Sequence, residues 1–383
     1  MTTPIDSLFP NQWYFNLIGD IETIWNEYTG NGVNIGIYDN GIQFTHSDLD
    51  DNYNSALEVV DINGIPIRPT PNLINNDAQG TSVAGIIAAE KNGDGTVGIA
   101  FGSSITGVNI LDPASYGYLY SKTPAGQSAF VDVISQASSF DIMSNSWSKI
   151  ASFDLSQSQA AVGSIDYLYL QQIEQNIIAG RTGLGTVVVQ ATGDDGTDAN
   201  GSSINASRFT ISVAATDSNG FATEFTNFGS SILIAAPAAN ITTDLIGDNG
   251  FNANGISETT GPDTLTDTDY TSTFGNTVAA TPIVSGVIAL MLDANSNLGW
   301  RDVQNILAIS AGHTGTAVGA PATGFEHGDW SFNGAANWNG GGMSVHGSYG
   351  FGIIDGFAAV RLAEVWSALY NAPLTSANEQ TGA

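Results

Sequence analysis

The chain has 383 residues and a formal net charge of −29 at pH 7, from 37 acidic and only 8 basic residues. A surface of that sign repels phosphate groups, so we expect neither nucleic acid nor an anionic membrane as a partner. Hydrophobic residues make up 42% of the sequence and Gly occurs 45 times, which excludes a disordered chain and is typical of a large, turn-rich globular protein. The absence of Cys removes disulfides, thiolate metal sites and a cysteine nucleophile.

Apolar, β-branched runs alternate with helical patterns along most of the chain, which predicts βαβ units and a mostly parallel sheet. In the first half, strands are predicted at residues 32–38 and 141–147 and in the stretch that ends at residue 110, with a helix at residues 82–89. The first strand runs into Asp39. Because side chains at the carboxyl ends of parallel strands face the ligand crevice, Asp39 is a candidate site residue.

The second half continues the alternation and then becomes more helical. One stretch, residues 240–273, is rich in Asp, Thr and Gly and shows little periodicity, so it is predicted to form loops. The predicted helices are residues 168–179, 279–295, 300–310 and 356–370, and the predicted strands are residues 185–190, 209–214 and 232–236. The helix at 279–295 is apolar nearly all round and is therefore expected to be buried.

The two ends of the sequence carry no targeting pattern. The N-terminus lacks a basic and an apolar signal region, and the longest apolar run, residues 283–292, is too short to cross a bilayer. We expect a soluble monomer that is exported without an N-terminal Sec signal or else is cytoplasmic. Residues 1–372 are predicted to form a single domain, and residues 373–383 have the composition of a tail or linker.

Six short motifs follow one another in the chain: Gln12-Trp13-Tyr14, residues 28–33, His46-Ser47-Asp48-Leu49, Ser144-Asn145-Ser146-Trp147, residues 300–304 and residues 348–352. In this order they resemble the subtilisin-like serine proteases, or subtilases, and more closely the kexin/furin-like branch. The resemblance implies a subtilisin-like α/β fold, a doubly wound and mostly parallel sheet flanked by helices in a single domain. It also implies a catalytic triad in the chain order Asp, His, Ser, with an Asn as oxyanion donor.

This sequence departs from the family at three of those four catalytic positions. Asp39 matches the triad aspartate, but Gln79 stands at the His position, Val278 at the Ser position and Asp194 at the oxyanion Asn position. Val278 has no lone pair to attack a carbonyl, and the amide of Gln79 cannot take a proton near pH 7. An ionised Asp194 would oppose a developing oxyanion. The three losses together predict a pseudoprotease.

Other interpretations of these residues stay open. Gln79 can simply bond to Asp39 and fill the volume of a histidine, Val278 can be core filling, and Asp194 can belong to a turn or cap a helix. A rearranged peptidase would need a hydroxyl such as that of Thr277 or Thr281, together with a base. A third hypothesis pairs Asp39 with Asp194 as two carboxylates for glycoside hydrolysis or for binding a cation.

Calcium is the cofactor that the resemblance implies. In the kexin/furin-like branch one calcium site combines an N-terminal Asp, the Asp of the His-Ser-Asp-Leu turn, and the loop after the helix that carries the catalytic His. The matching residues here are Asp6, Asp48, Glu90, Asn92, Asp94 and Thr96. Hard oxygen ligands of this kind suit calcium. The alternative is that these acidic residues are only solvated surface.

The functional prediction is a calcium-stabilised binding or structural module, whose former substrate cleft can hold a peptide or protein ligand. The rivals are an active serine or threonine endopeptidase with a rearranged site and another hydrolase that uses Asp39 and Asp194. Lys149, after the Ser146-Trp147 pair, would oppose basic substrates near the first specificity pocket. Because neither the inhibitory propeptide nor the following β-rich domain of the branch is present in the sequence, we expect a module of a larger exported protein.

Overall fold

The computed structural model describes residues 3–61, 63–67, 69–111, 124–149, 153, 164–238, 240–253, 263–332, 343–369 and 372–378. Within these residues, six strands form the main sheet: Asn34–Asp39 (β1), Ser104–Asn109 (β2), Ile142–Asn145 (β3), Val187–Ala191 (β4), Thr210–Thr216 (β5) and Ile232–Pro237 (β6). Their order is β2-β1-β3-β4-β5-β6, and all neighbouring pairs are parallel. The chain thus extends the sheet on both sides of β1, which confirms the predicted doubly wound α/β fold.

Helices flank this sheet on both faces. In the described part of the chain they are Ile21–Ile24 (α1), Gln79–Ala88 (α2), Pro124–Ser135 (α3), Ile165–Ala179 (α4), Asn276–Ala294 (α5), Trp300–Ser310 (α6) and Gly356–Leu369 (α7). Val187 and Val189 of β4 belong to the apolar core shared with α2 and α5, whereas Val188 belongs to the core shared with α3 and α4. Both faces of the strand are therefore covered, which explains why its sequence is apolar throughout.

Helix α5 is the central helix of the molecule. It begins three residues before the predicted start, because its first turn, with Asn276 and Thr277, is polar and escapes the apolar pattern. With 19 residues it is long and apolar enough to cross a membrane, but 83% of its most apolar window is buried inside the protein. Among the described residues no other helix passes that test. The burial identifies α5 as a core helix.

The prediction of loops at residues 240–273 was wrong at both ends of that stretch. Asn240–Thr243 (β7) and Tyr270–Phe274 (β8) form an antiparallel pair, and residues 254–262 between them lie outside the described residues. The pair was missed because its buried side chains are largely polar and do not form an apolar stripe, and those of β7 bond to α2. Thr242 donates its hydroxyl to Ser82 O at 2.8 Å, and Thr243 donates to Thr81 O at 2.8 Å.

Two smaller features complete the fold. Helix α3 was not predicted, and a short hairpin of Ser331–Phe332 (β9) and Ser344–Val345 (β10) follows the segment after α6.

Of the predicted tail, residues 373–378 are described, and Leu374 N donates to the carboxylate of Asp302 in α6 at 2.9 Å. This stretch thus contacts the domain, while the proposed boundary at residue 372 stays a prediction.

Candidate active site and cation site

Asp39, the predicted triad aspartate, has a buried carboxylate with both oxygens hydrogen-bonded. Asp39 ends β1 and is 0% exposed, and its Oδ1 accepts from Asn40 N at 2.8 Å. Gln79, the first residue of α2, donates its Nε2 to Asp39 Oδ1 at 3.1 Å and to Oδ2 at 3.0 Å. The same Nε2 donates to Ser146 O at 2.6 Å. Gln79 therefore joins β1, α2 and the segment after β3, and it leaves no proton acceptor at the position of the base.

Burial raises the pKa of Asp39 from its ordinary value of 3.8 to about 7. The hydrogen bonds from Gln79 and Asn40 act in the opposite direction, and the nearby charge of Asp77 raises the pKa further. A neutral amide at position 79 favours the carboxylate less than a cationic imidazolium would. We therefore expect Asp39 to titrate near pH 7.

This pKa predicts a pH-dependent stability. Because the folded protein holds the Asp39 proton more tightly than the unfolded chain does, its contribution to stability is complete below about pH 4 and is lost as the pH rises through about 7. Relative to Asp39→Asn, the wild type should lose roughly 4 kcal/mol of unfolding free energy between these limits. Urea unfolding of both proteins at several pH values measures the difference. Parallel stability curves would show that Asp39 has the same pKa in the folded and the unfolded protein.

Val278, predicted to stand at the position of the nucleophile, lies in the first turn of α5. Val278 is partly buried there and packs against the main core. Beside it, Asp194 Oδ1 accepts from Thr277 N at 2.8 Å, and Gly193 N donates to Thr277 Oγ1 at 3.2 Å. A carboxylate at a helix N-terminus satisfies an otherwise unpaired N–H and complements the helix dipole. Asp194 thus caps α5.

Burial raises the pKa of Asp194, while its bonds with Thr277 lower it. The nearby charge of Asp195 also raises the pKa of Asp194, whereas that of Asp77 raises the pKa of Asp39. No observation favours the hypothesis of a paired-carboxylate hydrolase. At the position of the oxyanion donor, the structure places an acceptor.

The hydroxyls of the two alternative nucleophiles, Thr277 and Thr281, both take part in hydrogen bonds within the protein. Thr281 is 0% exposed and donates its hydroxyl to Thr277 O at 2.8 Å, and the Thr277 hydroxyl accepts from Gly193. The histidines, which are the candidate bases, contact other groups. His46 is 1% exposed, with Nδ1 accepting from Asp48 N at 3.1 Å and Nε2 bonded to Asp269 O at 2.9 Å.

The other three histidines, His313, His327 and His346, lie in the segment that follows α6 and surrounds the β9–β10 hairpin. His313 and His346 contact Trp330, and His327 stacks on Phe228. None of these contacts brings an imidazole to Asp39. A rearranged triad therefore finds no support in the geometry.

The sequence analysis missed one buried residue that bonds next to Ser146, a partner of Gln79. Gln190, the last but one residue of β4, donates its Nε2 to Trp147 O. Two consecutive carbonyls after β3, those of Ser146 and Trp147, are thus bound by the chain's own amides. Gln190 could have been noticed as a polar residue that ends an apolar strand. Lys149, predicted to oppose basic substrates, forms an ion pair with Asp166 at the start of α4, so its charge is matched within the domain.

The predicted calcium ligands come together around the loop of residues 90–96. Asp48, 1% exposed, accepts from Thr96 N at 3.0 Å and from Asn92 Nδ2 at 3.1 Å. Asp6, 2% exposed, accepts from Gly93 N at 2.8 Å through Oδ1. The Oδ2 atom of Asp6 is buried and has no hydrogen-bond partner. A buried carboxylate oxygen without a partner is costly, and a cation would satisfy it.

The side chains of two other predicted ligands, Glu90 and Asp94, already accept hydrogen bonds from main-chain N–H groups. Glu90 directs its side-chain Oε1 to Asp51 N at 2.8 Å, and the Oδ1 of Asp94 accepts from Gly95 N at 2.9 Å. The described residues contain no group of three or more His, Asp or Glu side chains arranged to hold a metal ion. A cation here would therefore be held by Asp6, Asp48, the Asn92 amide and main-chain carbonyls of the loop. Burial raises the pKa of Asp48 to about 7.

Comparison with known proteins identifies the family of this chain. A profile described as the subtilase family of peptidases matches residues 30–352. Human "Proprotein convertase subtilisin/kexin type 6" is 30% identical over 381 residues, which cover 95% of this chain and 35% of that protein. Bos taurus "Neuroendocrine convertase 2" is 29% identical over 393 residues, covering 94% of this chain and 53% of that protein. The chain thus spans between about a third and a half of these relatives.

Solved structures agree on the fold. The serine protease of Aeromonas sobria, in a complex with its chaperone, matches with a TM-score of 0.75 at 24% identity, covering 98% of this chain and 68% of that one. A protease of Pseudoalteromonas arctica matches with a TM-score of 0.64 at 23% identity, covering 94% and 100%. The family match and the shared fold together assign the chain to the subtilisin-like class. This chain belongs to the subtilase family, and its relatives include kexin/furin-like proteases.

Proposed function

We propose that this subtilase domain is catalytically inactive and acts as a binding or structural module. The observation that carries the proposal is the bonding of Gln79, whose amide donates to both oxygens of Asp39 and to Ser146 O. A neutral amide is not basic enough to take a proton from a nucleophile near pH 7, and this one occupies both oxygens of the carboxylate that would orient a histidine. Val278 and the cap formed by Asp194 support the same conclusion, because the first turn of α5 offers neither a nucleophile nor a free oxyanion donor beside it.

The wild-type protein is expected to show no covalent labelling by a fluorophosphonate and no cleavage of a peptide library above background. Acyl transfer requires a nucleophile with a base in hydrogen-bond reach, and both are replaced here. Mass spectrometry of the treated protein is the measurement, with an active subtilase as the positive control. A fluorophosphonate adduct on Thr277 or Thr281 would establish the rival, a peptidase with a rearranged site.

We further propose that calcium is the cofactor of the domain and stabilises it without taking part in chemistry. The support is the convergence of Asp6, Asp48 and the 90–96 loop, together with the unpartnered Oδ2 of Asp6. Calcium, when bound, would supply the positive charge that two buried carboxylates lack. A site of this kind fills at the calcium concentrations outside cells, which is consistent with an extracellular protein.

The partner proposed for the former cleft is a peptide or protein segment. Since the carbonyls of Ser146 and Trp147 already accept from Gln79 and Gln190, such a ligand would rely on side-chain contacts at this edge. Cross-linking from a photoreactive residue at position 278 tests this proposal, because a cleft ligand would be captured there and a ligand elsewhere would not.

A further inference from the structure

A cavity of about 500 Å³ lies at the amino ends of β1, β3 and β4. Its walls include Val33, just before β1, Asp141, just before β3, and Leu184, shortly before β4. Asp39 stands at the other end of β1, and these strands are parallel, so Asp39 and the cavity lie at opposite edges of the sheet. The six residues of β1, at about 3.3 Å each, separate the two edges by roughly 17 Å.

Asp293, in the last turn of α5, lines this cavity with a carboxylate that is held in place. Its Oδ2 accepts from the main-chain N–H groups of Thr29, Gly30 and Asn31 at 2.9, 3.0 and 3.1 Å. No described residue donates to its Oδ1, which is not among the buried unpartnered side-chain atoms of the described residues either. Asp293 therefore presents one accessible carboxylate oxygen that lacks a partner.

The C-terminal end of α5 adds to the negative potential of the cavity. The helix ends at Ala294, and no N–H group of the described residues donates to the main-chain carbonyls of Leu292, Asp293 or Ala294. The carbonyl end of a helix carries a partial negative charge equivalent to about half an elementary charge. Because Leu292 and Asp293 both line the cavity, a cation there would be attracted by the carboxylate and by the helix end.

Arg181 also lines the cavity, but its charge is matched and covered. Its Nε forms an ion pair with Asp141, and its other nitrogens donate to Leu298 O at 2.8 Å and to Ser296 O at 2.9 Å. Its side chain is only 5% exposed. These bonds fix the segment after α5 as a wall of the cavity. An anion would therefore meet the accessible oxygen of Asp293 and no free cation among the described lining residues.

We propose that this cavity binds a primary alkylammonium group, with its nitrogen at Asp293 Oδ1 and its aliphatic chain along Val33, Leu184 and Leu292. The carboxylate oxygen and the helix end select the positive charge, and the three aliphatic residues select the chain. The volume is within the range of small-molecule sites and is much larger than a metal ion needs. A lysine side chain of a peptide and a free alkylamine share this chemistry. The site goes beyond the proposed function of the cleft and does not depend on it.

Three four-carbon probes separate the contributions of charge and chain: n-butylamine, which reproduces the lysine side chain, n-butanol and butyrate. In low salt n-butylamine should bind saturably, with a dissociation constant on the order of 1 mM, since so small a ligand makes few contacts. n-Butanol should bind at least about tenfold more weakly, and butyrate should be repelled. Ligand-detected NMR titrations measure all three. Equal affinity of the amine and the alcohol, or no saturation by the amine below about 50 mM, would overturn the proposal.

Nα-acetyl-lysine methylamide distinguishes the two sources of the ammonium group. Affinity equal to or above that of n-butylamine would assign the cavity to a lysine of a peptide. A loss of about tenfold or more would assign it to a free alkylamine, because the peptide groups would then not fit. Nα-acetyl-norleucine methylamide has nearly the same shape without the charge and should bind more weakly than the lysine derivative. Equal binding of these two derivatives would contradict recognition of the ammonium group.

A matched pair of variants locates the site at Asp293. Asp293→Asn keeps an oxygen for the three N–H bonds and removes the charge, so it should weaken binding of n-butylamine at least about tenfold. Asp217→Asn removes the same charge from another carboxylate that accepts main-chain N–H bonds, those of Asn219 and Phe221 after β5, and should leave binding unchanged. Equal losses in the two variants would show that the amine responds only to overall charge and would refute the site.

Asn297→Lys provides a second test if Asp293→Asn does not fold. Asn297 is exposed and lines the cavity, so this change places a competing ammonium group there and should also weaken binding of n-butylamine. The control is Asn219→Lys. Asn219 is likewise exposed, and the main-chain N–H of each asparagine donates to the side chain two residues earlier, that of Asn295 or Asp217. Unchanged binding in Asn297→Lys, or an equal loss in both lysine variants, would rule out the proposed cavity.

Discussion

Restoring the three lost groups together, by Val278→Ser, Gln79→His and Asp194→Asn, is expected to produce peptide hydrolysis that no single reversion produces. The imidazole would stand beside Asp39, and the hydroxyl would lie in the partly exposed first turn of α5. An Asn at position 194 can still accept from Thr277 N through its Oδ1 while its amide nitrogen becomes a donor. Because the members of a triad act as a unit, the triple variant should exceed each single variant by on the order of 10²-fold or more.

Hydrolysis of a fluorogenic peptide library measures this gain. The matched control is the same triple variant with Asp39→Asn added, which leaves the new His and Ser in place but removes the group that orients the imidazole. That quadruple variant should return to near background. A triple variant that folds and melts like the wild type yet stays inert would show that more than the chemistry was lost. The bonds from Gln190 and Gln79 to the cleft carbonyls would then be the next features to change.

Calcium is expected to raise the melting temperature of the wild-type protein. A ligand that binds only the folded state at a hundredfold excess over its dissociation constant contributes about 2.7 kcal/mol. For a chain of this length that corresponds to roughly 3 °C. The net charge of −29 increases the effect in low salt, because the cation also relieves repulsion between carboxylates. Magnesium should substitute poorly, since an irregular set of oxygens does not provide its octahedron.

Differential scanning calorimetry with and without a chelator measures the shift. The double variant Asp6→Asn, Asp48→Asn should lose most of it, because these two carboxylates carry the charge of the proposed site. The control Asp39→Asn removes a buried carboxylate outside the loop and should keep the whole shift. If chelation leaves the wild-type melting temperature unchanged in low salt, or if Asp39→Asn alone abolishes the shift, the acidic loop is solvated surface.

Much of this architecture could be predicted from local pattern. Helix α6 was predicted with its observed bounds, and the cores of β1 and β5 lie within a few residues of their predicted positions. Strands buried on both faces and amphipathic helices leave a hydrophobic pattern that needs no tertiary information to be recognised. The same pattern failed for β7 and β8, because both strands bury Thr hydroxyls, which bond to α2 from β7 and to Asp263 from β8, and therefore show no apolar stripe.

The sequence by itself was enough to predict which residue types stand at the catalytic positions, because short motifs on either side of Gln79 and Val278 align them without reference to a fold. Only the tertiary structure decided what those residues do. That Gln79 donates to two oxygens of Asp39 and to Ser146 O, and that Asp194 caps α5, depends on side chains 40 to 83 residues apart meeting at one edge of the sheet. Hydrogen bonds are short and directional, so their partners follow from the packing of strands and helices and cannot be deduced from spacing along the chain.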